Sequence, residues 1–224
     1  GHRDHTHTAA FLAEKLGATD AKTFATLLNS PVNLVKNPDF EQGSGLPDAW
    51  THSAADADTT LSLASPGGFG KQYARLTVSP TAKDTWRGWH QAVPVIPGHS
   101  YLYGAWLACE SLSGSANLHA HLRDAKGAVV SGGLLSAGPA VSGDSSWVPV
   151  FNTVTAPPEA RQLELHLTMN DRGTLKHDGA FLAECLEASA GDPETPSLPS
   201  GKLVVWSVDP VIKVFRETLP PERP

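Results

Sequence analysis

The sequence predicts an all-β chain: an antiparallel β-sandwich of the jelly-roll kind, with a short helical segment before it. Three observations carry this. Gly (20) and Pro (18) are dense for 224 residues, above the ~12% of average proteins. Short strand-like runs recur at even spacing between turn clusters, with no helical period between them. Several runs alternate apolar and polar residues, the mark of strands buried on one face only.

The elements follow in order. Residues 1–31 are a His-rich start and a helical segment, in which Phe11, Leu12, Leu16, Phe24, Leu27 and Leu28 fall near helical spacing. Gly17 interrupts the pattern, Thr19 or Asp20 can cap a second helix, and Pro31 closes the zone. Strand-like runs then fall at 32–35, 60–64, 73–78, 89–96, 101–108, 116–123, 128–135, 147–154, 162–169 and 180–186. GSGLPD, SPGGFG, IPGHS, SLSGS, DAKG, SAGPAVSGDSS, APPEA and NDRG separate them as turns. In the run 162–169, Leu163, Leu165, Leu167 and Met169 oppose Gln162, Glu164, His166 and Thr168. In the run 116–123, Leu118, Ala120 and Leu122 oppose His119, His121 and Arg123. Residues 32–188 therefore make the β module, 189–200 (SAGDPETPSLPS) a Pro/Ser linker, and 201–224 the start of a further β element.

Composition narrows the function. The net charge is −6, with no basic stripe for nucleic acid. No apolar run approaches the ~18 residues of a membrane span, and the first ten residues lack the apolar core of a signal peptide. Two cysteines exclude a disulfide-rich scaffold. Cys109 and Cys185 both lie in apolar runs that suit buried thiols, and a disulfide between them would need close Cα atoms. No P-loop, dinucleotide fingerprint, zinc-protease motif or nucleophile elbow occurs.

The stretch NLVKNPDFEQGSGLPDAW, from Asn33 to Trp50, carries a resemblance. It resembles the opening strand of jelly-roll carbohydrate-binding modules related to families four, nine and twenty-two. Four further segments follow that family's outline in order: FGKQYARLTV, WHQAVPVIPGHSYLYGAWLA, WVPVFNTVTAP and HDGAFLAE. The resemblance spans residues 32–188. It implies a module that binds a polysaccharide or oligosaccharide beside a catalytic domain of a secreted or periplasmic enzyme. The truncated run LVVWSVDPVIKVF, which faintly resembles opening strands of accessory β-domains in bacterial glycoside hydrolases, agrees with such a neighbour.

Four sets of candidate residues emerge. The resemblance implies a structural Ca²⁺ held by the Asp39 carbonyl and the Glu41 and Asp178 carboxylates, with further oxygens from the 65–71 loop. That loop lacks the acidic side chain the family usually supplies there. For sugar binding, flat aromatics must lie beside polar groups, because pyranose rings stack through C–H faces while their hydroxyls hydrogen-bond. KDTWRGWHQ supplies this mixture with Trp86, Arg87 and Trp89, and His119, His121 and Arg123 line a polar strand face with Gln162, Glu164 and His166. Trp50, Trp106 and Trp147 sit in apolar runs and read as core fillers. The third set is His2, Arg3, Asp4, His5 and His7, an H-x-H pair with Asp that can bind zinc. Asp4-x-x-His7 before an Ala-rich helix also resembles the last block of SGNH-type acetyl esterases, but no nucleophilic serine block precedes it. The fourth is a catalytic alternative. A lyase would use His119, His121, Tyr103 and Arg123, whereas a glycosidase would need paired carboxylates, for which Glu164 and Asp124 are a poor couple. A ligand-free structural spacer is the remaining reading.

Overall fold

The computed structural model describes residues 28–53, 56–187, 203–208 and 211–215. The N-terminal helical segment, the His-rich start and the Pro/Ser linker lie outside them. Two long strands organise the molecule: β7 (Ser100–Arg123) and β8 (Val129–Thr155). They pair with each other along their length, through repeated register shifts. The first half of β7 pairs with β10 (Gly173–Glu187), which pairs with β5 (Tyr73–Val78) and through it β4 (Thr59–Ala64). The second half of β7 pairs with β9 (Gln162–Met169), then β6 (Arg87–Pro94) and β3 (Thr51–Ser53). One bent hairpin thus belongs to two antiparallel sheets, with orders β4–β5–β10–β7–β8 and β3–β6–β9–β7–β8. This is the expected jelly roll. A small hairpin, β1 (Gly43–Ser44) and β2 (Leu46–Pro47), precedes them. β11 (Leu203–Val208) adds to β10 in parallel and pairs with β12 (Val211–Phe215).

Alternation packs the interior. Leu163, Leu165, Leu167 and Met169 meet Leu118, Ala120 and Leu122 from β7 and Trp89 and Val93 from β6. The first sheet contributes Leu76, Val78, Tyr103, Ala105, Leu107, Leu175 and Leu182. Each fully buried Leu side chain is worth ~1.5–3 kcal/mol relative to exposure, so this layer dominates stability.

The strands at 73–78 and 162–169 have the expected bounds. Elsewhere the structure corrects the reading. SLSGS and SAGPAVSGDSS are not turns; they are the bulged bends where β7 and β8 cross between sheets. At the first bend Ser111 adopts φ 50°, and its N–H donates to Asp144 Oδ1 at 2.7 Å. Residues 32–35 form no strand. The Leu34 N–H donates to the Leu182 carbonyl at 2.8 Å. The Asn33 side chain accepts from Leu182 N–H at 3.1 Å and donates to the Ala180 carbonyl at 3.1 Å. A side-chain amide here makes the bonds a strand backbone would make.

Trp50 is buried as expected, its indole N–H donating to the Asn37 carbonyl at 3.1 Å. Trp106 and Trp147 are not in the inter-sheet core. They lie half-buried on the outward face of the first sheet, against Phe69 and Tyr73, with ring centroids 4.9 Å and 5.8 Å apart. Cys109 is a buried free thiol, 3.2 Å from Ser145 Oγ.

Candidate functional site

The outward face of the second sheet gathers polar side chains into a grid. Register sets His90 on β6 opposite His166 on β9, which is opposite His119 on β7. The next row is Ala92, Glu164 and His121, and the third is Pro94, Gln162 and Arg123. Each strand supplies alternate residues, so the pattern that buries the leucines also collects these groups. The His90 and His166 rings are stacked at 5.8 Å, and the His121 and His166 rings lie 4.0 Å apart. Glu164 Oε2 accepts from Arg123 Nε at 2.5 Å and lies 2.9 Å from His166 Nε2. Arg123 also donates to the Gly127 carbonyl at 2.8 Å, which ties the face to the β7–β8 turn.

Electrostatics follow from partial burial. Desolvation lowers the pKa of His90, His119, His121 and His166 below that of free imidazole. Burial pulls Glu164 upward, but hydrogen bonds from Arg123 and His166 outweigh it and hold the carboxyl below its ordinary value. At neutral pH the face therefore carries neutral imidazoles around a carboxylate–guanidinium pair. A groove of about 460 Å³ opens beside His90, Ala92 and Glu164, walled by Leu34, Lys36, Ala49 and Thr51. That volume is in the range of ligand pockets, ~300–1,000 Å³.

The three residues read from KDTWRGWHQ separate. Trp86 is 51% exposed and meets the His119 ring edge-on at 4.9 Å. Trp89 is 0% exposed. It shares the inward face of β6 with Val93, so its ring cannot stack on a sugar. Arg87 is 2% exposed, bound to Asp56 Oδ2 at 2.8 Å and to the Lys83 and Thr85 carbonyls. It fastens the β6 entry and presents no free guanidinium. Gly88 between them has φ +137°, and a Cβ there would meet the Leu167 carbonyl oxygen at 2.2 Å; glycine lets β6 approach β9.

His119, His121 and Arg123 do share one face. Glu164 and His166, read only as part of a polar strand face, stand at its centre. His90, which that reading missed, completes the row. The signal was there: in the run from 89 to 95, Trp89, Val93 and Val95 are the apolar positions, which places His90 outward. Tyr103, a lyase candidate, is buried in the core. Asp124 accepts from Lys126 N–H at 2.8 Å and Ala128 N–H at 2.9 Å, an Asx turn.

The acidic set lies on the other sheet. Asp178 Oδ2 accepts from the Gly68 and Phe69 N–H groups at 2.7 Å and 3.0 Å, and Oδ1 from Gly179 N–H at 2.7 Å. Glu41 Oε1 accepts from Lys71 and Gln72 N–H at 2.5 Å and 2.7 Å. Both carboxylates thus grip the same loop over Trp106 and Trp147. Burial, helped by the nearby Asp39 charge, raises Asp178 to about 7 despite those three amides, with no basic side chain compensating. Asp178 is buried while Asp39 and Glu41 are half-buried, and what Glu41 and Asp178 share is the 67–72 loop whose amides they hold.

No protein-family model matches the sequence, and no curated protein matches it. Solved structures do. The enzymatically active domain of bacteriophage CBA120 tailspike protein 4 superposes with a TM-score of 0.55 at 17% identity, over 69% of this chain and 22% of that one. The C-terminal family 22 carbohydrate-binding module of Clostridium thermocellum Xyn10B gives a TM-score of 0.52 at 16% identity, over 70% of this chain and 95% of the module. An α-L-arabinofuranosidase, MgGH51, gives 0.51 at 16% identity, over 68% of this chain and 26% of the enzyme. The chain therefore spans about a fifth of the tailspike domain and nearly the whole of the binding module. These likenesses establish the fold as a jelly roll.

Proposed function

We propose that this jelly roll is a non-catalytic carbohydrate-binding module and that its ligand face is the outward face of the second sheet. The observation that carries the reading is Trp86. A half-exposed indole beside His119, at the edge of a polar grid, supplies the flat apolar surface and the hydrogen-bonding groups a sugar requires. The near-complete superposition on a family 22 binding module supports the same reading. Such a module would tether a neighbouring polysaccharide-acting domain of a secreted or periplasmic enzyme and raise its local substrate concentration. Direct catalysis is poorly served. Glu164 is neutralised by Arg123, Asp124 is committed to a turn, and Tyr103 is in the core.

Glu41 and Asp178, with Asp39, would hold a structural Ca²⁺ that fastens the 65–72 loop to the first sheet. The ion would compensate the charge of the buried Asp178 and would take no part in ligand recognition on the opposite sheet.

Incubating the protein with a panel of polysaccharides tests the function. Retention without product is expected. New unsaturated or reducing ends would make the chain a lyase or glycosidase, and neither retention nor product would leave a structural spacer.

A further inference from the structure

We propose that His121, Glu164 and His166 form a binding site for a divalent cation of the zinc class. One ligand atom from each residue, two imidazole nitrogens and one carboxylate oxygen, falls within 4.8 Å of the others. Among the described residues this is the one group of three or more His, Cys, Asp or Glu side chains so arranged. Two imidazoles and a carboxylate are a ligand set zinc takes where it keeps one position open to water. Nitrogen donors favour zinc, cobalt or nickel over calcium or magnesium, so the site differs in kind from the oxygen ligands proposed for Ca²⁺ near Asp178.

The strand ladder builds it. His121 and Glu164 are register partners across β7 and β9. His166 is two residues along β9 on the same face, its ring 4.0 Å from that of His121. The three residues are half-buried and adjoin the groove, which Glu164 lines, so a cation can enter and retain a water ligand. Beside His166, the stacked ring of His90 has its Nδ1 buried without a hydrogen-bond partner.

In the metal-free chain a proton on His166 Nε2 faces Glu164 Oε2 at 2.9 Å. A cation would form bonds to the imidazole nitrogens and the carboxylate; at His166 Nε2 it would bind the tautomer protonated on Nδ1, the proton passing from Nε2 to Nδ1 through water, so the ring stays neutral and no net proton leaves it. Burial already holds both imidazoles neutral at pH 7. Arg123 opposes the cation. Its Nε occupies Glu164 Oε2 at 2.5 Å, and its Nη2 lies 3.4 Å from His121 Nδ1. The site therefore has a built-in competitor, and removing it should tighten metal binding. None of this depends on carbohydrate binding.

The test is zinc titration by calorimetry on the full chain at pH 7.5. His2, His5 and His7 are each changed to Gln in the background, so that the His-rich start contributes nothing. One zinc per chain is expected. Binding should be lost in His121→Ala and in His166→Ala, and kept in His52→Gln, while Arg123→Gln should bind about tenfold tighter because a repelling charge is removed. If the histidine variants fail to fold by circular dichroism, X-ray absorption on the zinc-loaded parent decides instead, with two imidazole nitrogens and one carboxylate at ~2.0–2.2 Å expected. Absence of zinc binding, affinity unchanged in both histidine variants, or a coordination shell without imidazole would overturn the proposal.

Discussion

The two sheets bury the same kind of inward face and differ in what they do with the outward one. On the first sheet Trp106, Trp147, Phe151 and Phe181 are half or fully buried, and a loop clamped by Glu41 and Asp178 lies over part of them. On the second sheet the outward face is histidines, a carboxylate and a guanidinium, with Trp86 standing 51% exposed at its edge. Aromatic residues and carboxylates occur on both. What separates the two faces is accessibility: the first set has spent its contacts on the protein itself, while the second leaves Trp86 open at its edge.

The sharpest way to break this contrast is to compare two tryptophans three residues apart. Trp89→Ala should cost ~3–5 kcal/mol of stability, because a buried indole leaves a cavity. Denaturant unfolding measures it, and a loss below 1 kcal/mol would mean the ring is not in the core.

The closed face comes next. Asp178→Ala strands three amides that the carboxylate now satisfies, at ~1–3 kcal/mol for a buried unmet hydrogen-bonding group. If Ca²⁺ fastens the loop, chelation should also lower the melting temperature of the wild-type chain, since a ligand bound only by the folded state stabilises it by ~2.7 kcal/mol at a hundred times its dissociation constant. A melting temperature indifferent to EDTA would leave the amide clamp as the whole of the attachment.

Between the faces lies His177, fully buried and held down to about 3 by burial. The unfolded chain binds a proton at His177 below pH ~6.5, which the folded chain refuses until about pH 3. Its contribution to stability is thus intact above pH 6.5 and falls on acidification through that window, by about 1.4 kcal/mol per pH unit. In His177→Leu that slope should vanish. Comparing wild type and variant at fixed calcium, from pH 7 to pH 5, isolates it; parallel curves would mean His177 is hydrated.

How much of this was legible in the sequence depends on what each residue's neighbours encode. Strict alternation marked 162–169 and the 116–123 part of β7 and placed His119, His121, Arg123, Glu164 and His166 on outward faces. The same rule applied to Trp89 would have put it inward with Val93 and Val95; its polar neighbours Arg87 and His90 masked the period. The bends at 111–115 and 136–146 read as turns because glycine and serine are shared by turns and by bulged strands, and only pairing partners distant in sequence decide between them. The meeting of His121 with His166 was illegible for the same reason, since register between β7 and β9 is a property of the sheet. Arg87 looked available because a guanidinium in a loop usually is, but Asp56, far along the chain, claims it.

The central claim is that the second sheet's open face binds carbohydrate. Affinity electrophoresis through gels containing a set of soluble polysaccharides, xylan among them, tests it most directly when wild type is run beside Trp86→Ala and Trp147→Ala. At least one polysaccharide should retard the wild type. Trp86→Ala should lose ~1–3 kcal/mol of that affinity, as expected for an anchoring aromatic, with its melting temperature unchanged, and Trp147→Ala should be retarded like the wild type if it still folds. Retardation lost in Trp147→Ala and kept in Trp86→Ala would place the ligand on the other sheet, and no retardation of the wild type on any gel would contradict the account.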